Sequence, residues 1–598
     1  MEPPVSACAS VIGRAAVLNL CVCLAACGGG GGPSVHREPP TIRIKISPAS
    51  ATLLPGEKKQ FRVSVSHSAN SGVTWSVDGG EELGTISSEG TYTAPDAVPA
   101  PDTLTIRATS TRDPTKTALA KVKILAVCSA SEDNASTSRT AFSQAASTPQ
   151  KSALRGGYLS TLSAATELVI PAQMDKYDCS VNAPGDVLTL AAGVRGPLTI
   201  RNCNGTAADP IVIRNDPAGT EPSVISRASG PEDGFVLYCQ DCTGVTIDGS
   251  YKWLGAPSGK TYGIKVTMTG GGSPSAFVKI GGLSRFVTIR NVEIDGAWPS
   301  LASNGIGISV NDHSVKRVEH PDLWREGILI ADNYVHNVEG EGMYVGPNYR
   351  DGDLPLRNIE IRYNRVEDTG WDGINTKSLW AGENSIHHNQ VRRAGQNFSS
   401  TDAASQYSGI MNNAGTVKIH NNWIESTGQH GIQVWTKEGP PESEGEGPFE
   451  TEVWNNVIVN AGALWQPFMS NSFGISIGAQ PGCEKPIPYV YNNTIVGSRE
   501  SGIGVAKYVG AGFVRDNVIA GAGGKIAIFA PGFVSLTNNR VGAISELGFE
   551  NPELLDFHLR VTSPSWNQGS SDFPPTDFDD EARPRDGAPD PGAFEGTD

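Results

Sequence analysis

Eight times between residues 332 and 541 the chain repeats one four-residue sign. It is a pair ending in asparagine, one further residue, then a β-branched apolar residue: "DNYV", "YNRV", "HNQV", "NNWI", "NNVI", "NNTI", "DNVI", "NNRV". The asparagines are Asn333, Asn364, Asn389, Asn422, Asn456, Asn493, Asn517 and Asn539, spaced by 31, 25, 33, 34, 37, 24 and 22 residues. A floor near 22 with a variable excess describes one coil of fixed size carrying loops of different length. Asparagine suits the corner of such a coil. Its side chain satisfies backbone groups at a tight turn, and its backbone tolerates left-handed geometry. Stacked coil upon coil, these amides are expected to bond one another up a column. Asn291 in "IRNVEI" is read as an earlier member.

A second repeat accompanies the first, a glycine followed by alternating apolar residues: "GIGI" (305), "GMYV" (342), "GINT" (373), "GIMN" (409), "GIQV" (431), "GISI" (474) and "GIGV" (502). Each coil therefore holds several short strands joined by turns, one layer about 4.8 Å above the next. The chain is all-β, and residues 166–545 resemble the right-handed parallel β-helix of pectate-lyase-like proteins. That resemblance implies the fold and not the chemistry, since lyases, hydrolases, epimerases and phage tailspikes share it. Residues 546–598 are expected to close the last coil. There "TDFDDEARPRDGAPDPGAFE" (576–595) resembles a closing segment of secreted β-helix proteins. Its Asp577, Asp579 and Asp580 either hold calcium or are solvated on a cap over an open sheet edge.

Upstream, residues 41–127 alternate with period two ("TIRIKI", "FRVSVS", "VTWSV", "TLTIRATS") between Pro/Gly/Ser turns, around a single Trp75. With "GTISSEGTYTAP" this segment resembles bacterial immunoglobulin-like domains of surface proteins, which implies a spacer or adhesive role. Residues 128–165 are Ser/Thr/Ala-rich and read as a linker. Residues 1–27 read as an export signal, with Arg14 as its positive flank and an apolar run too short to span a bilayer. The run ends in "LAAC", which resembles a bacterial lipobox. Lipidation of Cys27 is the expectation, with 28–40 as a glycine-rich tether. The protein would then be exported and held at the outer membrane or cell surface by its acyl anchor alone. An ordinary secretory signal is the alternative. Four of the ten cysteines lie in the signal. Cys179 and Cys203 flank one early coil, and "CQDC" (239–242) is read as a structural bridge or buried thiols. The net charge of −16 argues against a nucleic-acid partner. The chain is read as a monomer.

The long insertions mark one side of the coils. Those at 313–326, 347–355, 436–449 and 479–488 each follow a Gly-apolar strand, and those at 397–407 and 464–472 each precede one. They are expected to rise as walls beside that sheet. Alternation then names the floor between them: Tyr344; Asn375 and Lys377; Met411 and Asn413; Gln433 and Trp435; Ser476. Amide, amine and aromatic faces on one extended floor suit a sugar chain, and a plain exposed sheet is the alternative. The residues before the motif glycines form a column of their own, Glu341, Asp372, Ser408 and His430. Two carboxylates in successive coils would bind a cation such as calcium, raise one pKa, or simply be solvated.

The stretch "DGINTKS…ENSIHHNQV…GIMNNAGTVKIHNNWI" (372–424) is similar to the active coils of the alginate lyase and chondroitinase B group of polysaccharide lyases. The resemblance implies Lys377 as the base that removes the proton beside a uronate carboxylate. It also implies calcium held by acidic residues near Asp372 and Glu341, and an arginine acid one coil on. That arginine position falls near Asn412 or Asn413. Arg350 in a wall loop, or Arg392 and Arg393 on another face, would have to substitute. Three functions stay open: β-elimination of a uronic-acid polysaccharide, non-catalytic glycan binding or adhesion, and glycoside hydrolysis. A hydrolase would need paired carboxylates, with Glu341, Asp372, Asp402 and Glu438 as candidates.

Overall fold

The computed structural model describes residues 42–124 and 167–596 apart from short breaks, the longer of which are 229–233, 348–352, 399–405, 437–448 and 529–533. The segments read as export signal with Cys27, as tether and as linker, together with Arg350, Asp402 and Glu438, lie outside the described residues. The chain divides into two compact units between Ala126 and Val127.

In the first unit small, mostly antiparallel sheets make an Ig-like arrangement. One is the pair Arg43–Ser47 with Arg62–Ser66, and another runs through Val73–Asp78, Thr103–Ser110 and Thr117–Ile124. Alternate residues of these strands point inward, so Phe61, Tyr92, Ile106, Val122 and Ile124 are buried, with Trp75 packed against them.

The second unit is a right-handed parallel β-helix. A sheet of 25 strands and one of 12 wrap a single interior. One coil shows the plan: Leu356–Arg362, Arg365–Thr369 and Ile374–Ala381 are three strands in sequence, each pairing in parallel with its counterpart in the next coil. The interior is a stack of like residues, such as Ile308, Met343, Ile374, Ile410, Ile432, Ile475 and Ile503. Each is worth about 1.5–3 kcal/mol when fully buried. Cys179 and Cys203 form a disulfide in the first coils, and Cys239 and Cys242 are buried thiols.

The asparagine column is continuous from Asn333 to Asn539. In each step the backbone N–H and the Nδ2 of one asparagine donate to the Oδ1 of the next, at 2.8–3.1 Å. The residue before each of them has φ between +49° and +60°, the left-handed corner that lets the strand turn. Asn291 does not belong to the column. It occupies the left-handed corner (φ +54°), and the ladder position of its coil falls one residue later, on Val292, whose N–H donates to Asn333 Oδ1; the ladder begins at Asn333.

The C-terminal segment also differs from expectation. It does not merely cover the last coil but runs back along the outside of the 12-stranded sheet. Leu547, Phe549, Phe557 and Phe594 pack on Val457, Val459, Val496 and Val518. Corner asparagines hold its backbone: Asn421 and Asn455 donate to Asp577, Phe578 and Thr576 carbonyls, and Asn492 to that of Asp590. Asp577 is buried and accepts from three backbone N–H groups, so it is not a solvated cap residue.

Candidate functional site

The parallel register assembles the floor as a row. Ser309, Tyr344, Asn375, Met411, Gln433 and Ser476 are successive partners from coil to coil, and Lys377 pairs with Asn413 one step along the strand. The row is far less open than alternation suggests. Asn375 and Met411 are fully buried, Tyr344, Asn413, Gln433 and Ser476 nearly so, and only Lys377 and Trp435 are half-buried. Asn375 is drawn in because its Nδ2 donates to Asp372 Oδ2 at 2.9 Å, while Gln433 Oε1 accepts from Ser408 Oγ at 3.1 Å. The accessible floor is therefore a lysine and a tryptophan over a buried polar layer.

Lys377 is held from below. Its Nζ lies 4.7 Å above the Tyr344 ring, a contact that favours the ammonium. Its charge also reaches Glu341, one coil earlier. Glu341 is buried, its Oε2 has no hydrogen-bond partner, and desolvation pushes its pKa up to about 7. Asp372 sits one coil above Glu341, as expected from the column (Gly342 N–H donates to Asp372 O). It is not the cause of the rise, which comes from burial. Asp372 turns one oxygen on Ser408 N–H (2.7 Å) and the other on Asn375. Calcium takes six to eight oxygens. The described residues of this column offer one unpartnered carboxylate oxygen, Glu341 Oε2, which does not fit a calcium cage. Nor can Glu341 and Asp372 flank a glycosidic bond as a hydrolase pair, since both are beneath the floor.

His430 ends the column as an internal brace rather than a substrate contact. Its Nδ1 accepts Phe473 N–H at 3.1 Å, and burial lowers its pKa to about 3, so it is neutral. Arg392 and Arg393 do not substitute for the missing arginine. They lie in Gln390–Ala394 of the other sheet, ion-paired to Glu425 and Asp368. The row instead holds Asn413, whose Oδ1 is buried without a partner.

The insertions do carry apolar clusters of their own. Tyr407 and Met469, with Trp371, Phe398 and Trp465, gather before the Gly-apolar strands, whereas Trp380, Ala414, Phe449 and Trp324 gather after them.

One residue of the same row escapes the motif reading. Lys279 pairs with Ser309, which pairs with Tyr344. Its strand, "AFVKIG", lacks the initial glycine of the motif, so only its period-two alternation could have pointed to it. Lys279 is buried, donates to Ser309 Oγ at 3.3 Å and lies 5.5 Å over the Phe235 ring. Desolvation lowers its pKa to about 8, against the pull of nearby Asp312. A cavity of about 620 Å³ lies elsewhere, at a coil corner beside the 313–326 insertion, lined by Asn204, Asp241, Arg285, His320 and Asp322 among others. It contains none of the floor residues.

No protein-family model matches the sequence, and no curated protein matches it. Solved structures similar to it include pectate lyase Pel9A, at 13% identity and TM-score 0.38 over 70% of this chain and 90% of that one. The periplasmic alginate epimerase AlgG is similar at 12% identity and TM-score 0.26 over 60% and 77%. A PL6 family polysaccharide lyase from Pseudopedobacter saltans is similar at 11% identity and TM-score 0.25 over 67% and 99%. The likeness goes no further than the coil architecture.

Proposed function

We propose that this chain is a carbohydrate-active β-helix protein that cleaves a uronic-acid polysaccharide by β-elimination at Lys377. One observation carries the reading: Lys377 and Trp435 are the two partly exposed side chains of a row otherwise buried, and the Lys377 amine lies over the Tyr344 ring. A neutral Lys377 takes the proton from the ring carbon beside the uronate carboxylate. The C–H electrons form the C=C bond, and the glycosidic oxygen leaves with its bond pair. The base must first be neutral. Trp435, half-buried on the same floor, offers an apolar surface to a sugar ring.

Incubation with a panel of uronic-acid polysaccharides tests this through ultraviolet absorbance of the unsaturated product. Turnover that Lys377→Ala abolishes is the expected result, and turnover that it leaves intact would sink the assignment. Glycan binding with no turnover would favour the second reading, a non-catalytic surface adhesin. Asn413, where the resemblance implies an arginine, speaks for that reading. Anchoring through Cys27 is proposed with either. Cys27→Ser should move the mature protein from the membrane to the soluble fraction.

A further inference from the structure

On another face of the same coils, "SIHHNQV" and "VKIHNNW" place histidines at matching positions in successive layers. His387 and His420 are register partners at the ends of Ser385–His387 and Val417–His420, and His388 is the left-handed corner residue after His387. Each offers a ring nitrogen, and the three nitrogens lie within 4.8 Å of one another. The rings of His387 and His420 are stacked at 4.8 Å, nearly parallel.

Their outer hydrogen bonds fix the tautomers. His387 Nε2 is 3.2 Å from Glu360 Oε1, and His388 Nε2 is 3.1 Å from Asp580 Oδ1. A carboxylate only accepts, so both Nε2 atoms carry the proton and both Nδ1 atoms are bare. Yet those two Nδ1 atoms face each other at 2.7 Å, lone pair to lone pair. At His420, Nδ1 is 3.0 Å from Asn421 Oδ1. The amide is oriented by its Nδ2, which donates to the Asp577 and Phe578 carbonyls. His420 Nδ1 therefore donates, and its Nε2 is bare. Two bare imidazole nitrogens thus face each other, each with its other nitrogen held by a carboxylate, the support that metal-binding histidines ordinarily have, and a ring nitrogen of His420 completes a cluster within 4.8 Å.

We propose that His387, His388 and His420 bind a divalent transition-metal ion of the zinc type. Imidazole nitrogens suit such ions, and tetrahedral zinc at about 2.0–2.1 Å from nitrogen wants ligand atoms about 3.3 Å apart; His420, stacked between His387 and Trp454, turns out of that stack to reach the ion. Both His387 and His388 are partly exposed (14% and 17%), which leaves a fourth position for water. The ion also ties the C-terminal segment to the coils. Asp580 orients His388 from 192 residues away, and the Asp577–Phe578 backbone orients Asn421 and through it His420.

Titration calorimetry of the full-length, tag-free, chelator-treated protein with Zn²⁺ tests the site, with Co²⁺ as a spectroscopic probe. One ion per chain and tetrahedral cobalt absorption bands are expected. His387→Ala combined with His420→Ala should abolish both, and Asp580→Asn, which leaves all three ligands in place, should weaken binding about 10- to 100-fold. Circular dichroism of the metal-free variants checks that they fold. Absence of stoichiometric binding in the wild type, or equal binding in the folded double variant, would overturn the proposal. Unchanged affinity in Asp580→Asn would remove the link to the C-terminal segment.

Discussion

Asn422 and Asn413 belong to the same stretch of coil, nine residues apart, in opposite circumstances. Asn422 is fully used. Its Oδ1 accepts the N–H and the Nδ2 of Asn389, and its Nδ2 reaches the Ile386 and His420 carbonyls and Asn456 Oδ1, all within 3.0 Å. Asn413 is almost as buried, yet its Oδ1 has no partner and its Nδ2 has only a long 3.5 Å contact to Asn375. A buried amide left unpaired costs about 1–3 kcal/mol. The corner column spends its polar groups on the fold, and the floor beside Lys377 holds some of them back. Glu341 makes the same contrast within the floor, a buried carboxyl with an unpartnered oxygen.

The largest expected effect concerns Glu341. Its folded pKa of about 7 lies above the ordinary 4.5. The stability tied to its neutral form is thus complete below pH 4.5 and lost as pH rises through 7. Measured by denaturant unfolding, the stability of Glu341→Gln relative to wild type should rise by about 3 kcal/mol from pH 4 to pH 8. A flat difference would mean that Glu341 is not held neutral. Next, Lys377→Ala should lower turnover on a cleaved polysaccharide about 10²-fold or more, the scale of a lost general base, with the melting temperature nearly unchanged. Loss of folding together with activity would make Lys377 structural. Asn422→Leu should cost about 1–3 kcal/mol, because it removes the oxygen that accepts the Asn389 N–H and Nδ2. An unaltered melting temperature would break the contrast between column and floor from the column's side. The smallest effect is expected at Asn413. With so little bonding to lose, Asn413→Leu should change stability by less than about 1 kcal/mol while weakening saccharide affinity. A stability loss as large as that of Asn422→Leu would show the two amides to be equivalent.

Much of this was legible beforehand because a solenoid repeats its rules. Each ladder asparagine had to recur wherever a coil turned, so spacing alone located the column and the Gly-apolar strands. Asn291 was misplaced because corner and ladder positions both accept asparagine, and one sequence line cannot say which of two adjacent residues turns left-handed. Alternation put Asn375, Lys377, Met411 and Asn413 on one face correctly. It could not reveal that Asn375 turns under to Asp372, since alternation reports direction and not cover. Lys279 carried no glycine motif, and its depressed pKa depends on what lies around it rather than on its neighbours in sequence.

The sequence by itself determined the coil, its strand period and the identity of the outward row. These follow from contacts that recur at fixed residue spacing. Only the tertiary structure decided which outward residues are reachable, that Glu341 is pushed up by burial rather than by Asp372, and that His387, His388 and His420 converge beneath Asp580. Those properties are set by side chains from distant parts of the chain meeting in space, and by the water that such meetings exclude.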